Sequence, residues 1–314
     1  MATLRTIRLR IRGTKNIKQI TRAMEAVSAV KMRKSQSVPL AARPYATAAL
    51  NILKSVAQGA ARMDTTHPFF KTPQNDEILL LVVTSDKGLA GSFNTNVLKR
   101  AMEFMKEIEE QGKKIRVVAI GKRAAEFFQK RKRQPEQSFR GLGDSVNLAD
   151  VSGLFQKVGE WAKRYEAVHI CYTNFLSVMR QEVVVRKLLP FSEEGLEEMV
   201  KGIVPEKGKF ADNDANSAKE TANTTNKARE YLFEPSSKEI FDAMLPALLN
   251  IQIYHAILEA NASEHSSRMV AMRSATNNAG ELIKHYTMSQ NKARQAMINK
   301  ELAEITGGSE ALAS

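Results

Sequence analysis

The sequence predicts an α+β chain: a long antiparallel, left-handed coiled coil of the N- and C-terminal helices, with a Rossmann-like α/β domain inserted between them. Three observations predict it. Residues 1–57 carry helical spacing, residues 76–190 alternate short apolar runs with helical stretches, and a heptad repeat runs from Met244 to Met297. The expected division is 1–57 for the first coiled-coil helix, 58–234 for a globular foot with a polar insertion at 203–229, and 235–314 for the second helix.

In the first segment Ile7, Ile11, Ile17, Ile20, Met24, Val27 and Val30 recur at three- and four-residue steps or small multiples of them. Gly13 weakens the pattern locally. Pro39 and Pro44 lack a donor and clash with the preceding turn, so Arg43-Pro44-Tyr45 is expected to mark a bend or break.

The middle segment changes period. Glu77 to Thr84 is almost wholly apolar, as a strand buried on both faces would be. A Gly-containing turn leads to a helix over 94–111, then a strand over 115–120 and a helix over 123–130. A polar loop follows, then a helix near 147–164 and strands over 168–173 and 182–188. After Phe210 the stretch to 229 holds almost no large apolar side chain, which predicts a surface insertion.

The last segment opens at Ser236 or Ser237, either a fitting N-cap, with Glu239 close behind. From Met244 the alternating four-and-three series reaches Met297, and twelve of its sixteen positions are apolar or Ala. A repeat averaging 3.5 residues gives a left-handed supercoil. Gly307-Gly308 is expected to end the helix. Its length, about 60–70 residues or roughly 90–105 Å at 1.5 Å per residue, exceeds what the domain itself needs. Something outside the domain must surround it.

Composition narrows the function. Aromatics make up only 6%, and Ala and Met carry much of the apolar content, as suits helices packed along a seam. The lone Cys171 excludes an intramolecular disulfide and reads as a small buried hydrophobe in a strand, consistent with a reducing compartment. No apolar stretch reaches the roughly 18 residues that a spanning helix needs. The Arg-rich opening has the look of a transit peptide, but its spacing continues unbroken into the next forty residues, so it reads as mature helix. The net charge is +13. Residues 1–57 hold twelve Lys or Arg against the single acid Glu25, whereas 236–306 is neutral. One helix is a basic rod whose partner accepts positive charge.

No catalytic constellation emerges. Thr84-Ser-Asp-Lys-Gly-Leu-Ala-Gly-Ser-Phe-Asn94 sits where a phosphate loop would, but has neither phosphate-loop glycine spacing; it reads as a structural turn, with Asn94 or Ser92 capping the next helix. His67, His169, His255, His265 and His285 show no metal-ligand pairing, so neither a metal nor a cofactor is expected. The basic cluster Lys122-Arg123 with Lys130 to Arg133 fits a solvated helix end, or contact with phosphates of nucleic acid or lipid.

The ends carry more than periodicity. Ile20-Thr-Arg-Ala-Met-Glu-Ala-Val-Ser-Ala-Val-Lys-Met-Arg-Lys-Ser-Gln36, followed by Arg43-Pro44-Tyr45, resembles the N-terminal helix of the F-type ATP synthase gamma subunits. The turn 84–94 looks like that family's first strand-turn. Ala262 to Asn277 and Asn291-Lys-Ala-Arg-Gln-Ala-Met-Ile-Asn-Lys-Glu-Leu-Ala-Glu-Ile305 are similar again, so the motifs bracket nearly the whole chain in order. It departs in having Asn299 where the family usually has Thr and Ser309 where it has Ala, and in the polar stretch 203–229. The cysteine pair of plant-type members is excluded.

The resemblance implies a central rotor shaft without catalysis of its own. The terminal helices fill the axis of a ring of three alpha and three beta subunits. The foot, with the epsilon subunit, sits on the membrane c-ring that proton or sodium flow turns. It also implies a peripheral place on the cytoplasmic face of a bacterial plasma membrane. Arg8, Arg12, Lys18, Arg22, Lys31, Arg33 and Lys34 are the candidates for facing acidic loops of the beta subunits, with Met24 beside them. By motif match Arg294 and Gln295 form the contact near the shaft's upper end. Ile20, Val27, Leu248, Ile251, Leu258, Met269, Met272 and Ile283 are the expected coiled-coil seam. The alternative from another class is a basic helical nucleic-acid-binding protein, which leaves the long neutral helix and the paired end motifs unexplained. A nucleotide-dependent enzyme lacks its phosphate loop, and a self-associating scaffold is unnecessary when the seam has an intrachain partner.

Overall fold

The computed structural model describes residues 4–59, 69–70, 73, 75–143, 146–190 and 237–313, with side chains described for 4–36, 69–70, 73, 75–143, 146–190, 239 and 243–306. The insertion at 203–229 and His67 lie outside the described residues. Helix α1 spans Leu4–Gly59. The middle of the chain gives β1 (Glu77–Val83), α2 (Phe93–Glu110), β2 (Lys114–Ile120), α3 (Lys122–Lys130), β3 (Gln137–Phe139), α4 (Ser152–Arg164), β4 (Ala167–Phe175) and β5 (Gln181–Leu189). Helix α5 runs Ser237–Ala313, 77 residues.

Several expectations shift. The break at Pro39 and Pro44 does not occur, since α1 runs through both. Each proline removes one local bond, at about 3 kcal/mol, which a 56-residue helix tolerates with full turns on either side. Likewise α5 contains Pro246 and continues past Gly307-Gly308 to Ala313. Helix α4 starts at Ser152 rather than near 147, because Asn147 N–H donates to Asp150 Oδ2 at 2.8 Å in a preceding turn. Strand β3 was not expected at all.

The five strands lie in the order β3-β2-β1-β4-β5. β1 pairs in parallel with β2 and β4, β2 with β3, and only β4 and β5 are antiparallel. This is a doubly wound sheet whose strand order reverses between β1 and β4. Because β1 is buried on both faces, alternate residues feed two cores. Leu80 and Val82 join Val97, Ala101 and Met105 of α2 and Phe128 of α3. Leu79, Leu81 and Val83 join Leu154 and Trp161 of α4 and Leu245, Leu249, Ile253 and Ile257 of α5. Each fully buried Leu or Ile contributes roughly 1.5–3 kcal/mol.

Two compact units divide the chain: Met1–Ala29 with Arg268–Ser314, and Val30–Ser267. The expected cuts lay at the inner ends of the long helices, near residues 57 and 235, whereas these units cut inside the helices. The first part of α5 belongs with the sheet because its leucines and isoleucines lie in the sheet's core. Leu248 and Leu258, expected in the coiled-coil seam, are buried in that same core, and Ile251 beside them is half-buried.

Candidate partner-contact surface

In the smaller unit the inward positions of α1 are Ile7, Ile11, Thr14, Lys18, Thr21, Glu25 and Ser28, an unbroken four-and-three series. On α5 they are Met269, Met272, Thr276, Ala279, Ile283 and Tyr286. Much of the seam on α1 is hydroxyl rather than hydrocarbon. Thr14 donates to Arg10 O at 2.8 Å, Ser28 to Met24 O at 2.7 Å, and the hydroxyls of Thr21 and Thr276 meet at 2.7 Å. Lys18 lies along the seam, its Nζ 3.4 Å from where a side chain on Gly280 would begin. Small side chains there let a lysine stem pass between the helices.

Met269, Met272 and Ile283 thus lie on the expected seam, but Ile20 and Val27 do not. They stand 58% and 55% exposed. Val27 is about 180° round the helix from Lys18 at 100° per residue. Of the apolar series of α1, Ile7 and Ile11 face the seam, while Ile17, Ile20 and Val27, with Leu9, form an outward ridge. Hydrophobicity alone misplaces the seam because the ridge is greasier than the seam.

The basic candidates are spread round the same helix, with Arg12, Lys31 and Lys34 nearest this ridge at 100° per residue. Arg8, Arg12, Arg22, Arg33 and Lys34 are exposed, while Lys18, Met24 and Lys31 are half-buried. Arg294 and Gln295 are both exposed on α5. The antiparallel register through Thr21 and Thr276 brings Leu4 opposite about residue 293. Beyond that point α5 runs on alone among the described residues, with Leu302 56% and Ile305 68% exposed. Exposed large apolar side chains along a helix mark an interaction surface.

The turn at 84–94 lies at the carboxyl end of β1, at the reversal of strand order, where doubly wound folds bind ligands. Here protein groups occupy the donors. Asp86 accepts from Lys122 N–H and from Gly141 N–H, each at 2.8 Å. Thr84 Oγ1 accepts from Ala124 N–H at 2.9 Å and donates to Ile120 O at 3.2 Å. The first turn of α3, where a phosphate would bind, is thereby capped from within. Asn94 holds Ser85, its Oδ1 accepting from Ser85 N–H at 3.0 Å. Ser92 takes the N-cap position of α2 without a side-chain cap bond.

The other singled-out groups have internal roles. Arg131 stacks on Phe127 at 3.7 Å, and Arg133 forks onto Glu109 at 2.6 and 3.2 Å. Lys122 and Arg123 pair with Glu126. The Cys171 thiol is buried, donates to Val97 O at 3.7 Å, and is pushed up to about 12 by burial, which keeps it unreactive. His169 lies against Phe104, and His255 Nδ1 is 3.7 Å from Glu259. Among the described residues no three His, Cys, Asp or Glu side chains group as a metal site would, and no helix is long and apolar enough to cross a membrane.

Comparison with known proteins adds the remaining evidence. Residues 3–312 match the family model described as ATP synthase. The ATP synthase gamma chain of Roseiflexus castenholzii is 39% identical over 317 residues, covering 100% of this chain and 99% of its own. That of Chloroflexus aurantiacus is 38% identical, with 100% of each chain covered. A chain in the mitochondrial ATP synthase OSCP/F1/c-ring structure of Euglena gracilis shares the fold with TM-score 0.60 and 18% identity, covering 98% of this chain and 94% of that one.

Proposed function

The chain belongs to the ATP synthase gamma-chain family, and from that premise we propose that it is the turning central shaft of the complex, with no reaction of its own. In this reading the coiled coil stands in the axis of a head of three alpha and three beta subunits. The sheet unit rests, with the epsilon subunit, on the membrane c-ring. Ring rotation carries the shaft past each beta subunit in turn, and its asymmetry shifts their conformational populations one after another. The complex lies on the cytoplasmic face of a bacterial membrane, and this chain is peripheral to it.

The observation that carries the reading is the surface of the smaller unit. It combines an exposed apolar ridge on α1, exposed arginines on the same helix and, among the described residues, a lone apolar helix end on α5. A surrounding sleeve would cover the apolar groups. Acidic loops on it would meet Arg8, Arg12, Arg22, Arg33, Lys34 and the half-buried Lys31 through screened, low-specificity attraction that does not lock rotation. Arg294 and Gln295, exposed near the far end of α5, would touch the beta subunits in this reading. Lys18 and Met24 lie closer to the seam and contribute to the contact through their exposed edges.

Co-expression with alpha and beta subunits tests this. Native mass spectrometry at about 0.3 M salt, where loose polyanion binding is weakened, should find one copy per three alpha–beta pairs. MgATP hydrolysis should fall when residues 236–314 are removed. Failure to join the head, with nucleic acid carried through purification, would overturn the reading in favour of a polyanion binder.

A further inference from the structure

A helix packed on a sheet ordinarily shows one side to water. Residues 260–266 of α5 do not. All seven are buried, Ser263 and Ser266 completely. Seven consecutive residues at 100° each go round the helix almost twice, so this stretch is enclosed on every side. It is also polar where an enclosed helix would be expected to be apolar: Asn261, Ser263, Glu264, His265 and Ser266 are among its members. Burying such groups costs stability unless each is bonded.

The bonds come from opposite directions. Asn261 Nδ2 donates to Leu142 O at 2.8 Å, in the segment after β3. Ser263 Oγ donates to Thr173 O at 3.2 Å near the end of β4, and Ser266 Oγ to Val178 O at 3.0 Å in the β4–β5 turn. Ser267 Oγ donates to Gln181 Oε1 at 2.6 Å. The three serines lie about 200°, 140° and 240° round the helix from Asn261, so the helix is held between two jaws. The hairpin jaw is itself braced, with Ser177 N–H donating to Arg180 O at 2.9 Å and Gln181 Nε2 to Val178 O at 3.3 Å. Gly143, next to Leu142, lies close by: a side chain there would begin at ordinary contact, 3.7 Å from Asp86 Oδ2 and 3.8 Å from Glu264 Oε2.

The collar lies at the carboxyl ends of β1 and β4, the crevice where a doubly wound sheet would hold a ligand. It also falls at the end of its compact unit, which closes at Ser267 while α5 runs on to Ala313. Apolar packing sets which face of a helix is buried, but the hydrophobic term itself carries no directional preference. Directed hydrogen bonds from two sides fix both azimuth and axial register.

We propose that this collar is the grip through which the sheet unit turns α5, with Asn261, Ser263, Ser266 and Ser267 as positioning residues for torque transfer. The proposal rests on the shaft reading above and deepens it. A loosened collar lets the head turn α5 while the sheet unit lags, so that hydrolysis is separated from ion transport.

The test uses the whole complex in inverted membrane vesicles, with Ser263→Ala, Ser266→Ala and Ser267→Ala combined. The expected result is normal assembly and MgATP hydrolysis with ATP-driven ion uptake lowered several-fold. A second arm places Gln181→Cys and Ser267→Cys in a Ser263→Ala, Ser266→Ala background and closes the pair with copper phenanthroline. Closure should restore uptake, and a reductant should remove the gain, a reversible readout that mere misfolding does not produce. Wild-type coupling in the triple variant, or no response to closure in the locked one, overturns the grip. Wild-type chain that never joins the head overturns the shaft reading itself.

Discussion

The hydroxyl oxygens of Thr21 and Thr276 lie 2.7 Å apart although 255 residues separate them in sequence. The bond joins the two helices of the smaller unit where the α1 side of the seam carries hydroxyls, and it pins their register. Thr276→Ala leaves Thr21 facing a gap and should destabilise the unit by about 1 kcal/mol. Val at both positions keeps the volume and strands neither hydroxyl, so it should be near neutral. A double-mutant cycle by urea denaturation checks both.

Two glycines should respond oppositely to alanine. At Gly121, with φ +97°, a Cβ would stand 2.1 Å from Thr84 O, so Gly121→Ala must part β1 from the start of α3 and should cost more than about 2 kcal/mol. Gly13 has nothing within 4 Å, and Gly13→Ala in the helix interior should stabilise by up to about 1 kcal/mol. Denaturation midpoints of the two variants decide it.

Burial, helped by Lys187 and opposed by Glu166, lowers His169 to about 4 from an unfolded value of 6.5. Between those values the unfolded chain binds the proton and the folded chain does not. The resulting stability is full above pH 6.5 and is lost as pH falls toward 4, on the order of 3 kcal/mol over the window. His169→Leu should flatten that part of the stability–pH curve, as seen by midpoints measured at half-unit steps.

Charge reversal on the outward face should act through salt-sensitive association. Arg12→Glu with Arg22→Glu should slow assembly with the head and reduce its salt dependence, with the variant's own melting temperature nearly unchanged. Arg294→Ala with Gln295→Ala should lower hydrolysis by the assembled complex. Stopped-flow association and steady-state assays separate the two.

The sheet was legible wherever strands are apolar on both faces, as in β1, β2 and β4. Strand β3 was not, since Gln137, Ser138 and Phe139 carry no pattern and pair only because β2 lies beside them. The long heptad of α5 was read as one seam, yet Leu248 and Leu258 pack on the sheet and Met272 in the coiled coil. A 3.5-residue period says that one face is buried, not against what. The seam of α1 was hidden for the opposite reason. Its inward positions include the half-buried Thr14 and Lys18 and the buried Thr21 and Ser28, whereas Ile20 and Val27 serve the outside. The collar at 260–267 reads in sequence as one more stretch of the heptad, through Ala262 and His265, and a one-face period cannot reveal a helix enclosed all round.

The separation between Thr21 and Thr276 also constrains how the protein is made. The first helix leaves the ribosome while its partner helix, α5, is still untranslated. At 5–20 residues per second the wait is roughly 13–50 s. Throughout it an arginine-rich helix passes ribosomal RNA and chaperones with its seam unpartnered as well as its outward ridge. The hydroxyl-rich seam suits that interval, since threonine and serine can wait in water at little cost until α5 arrives.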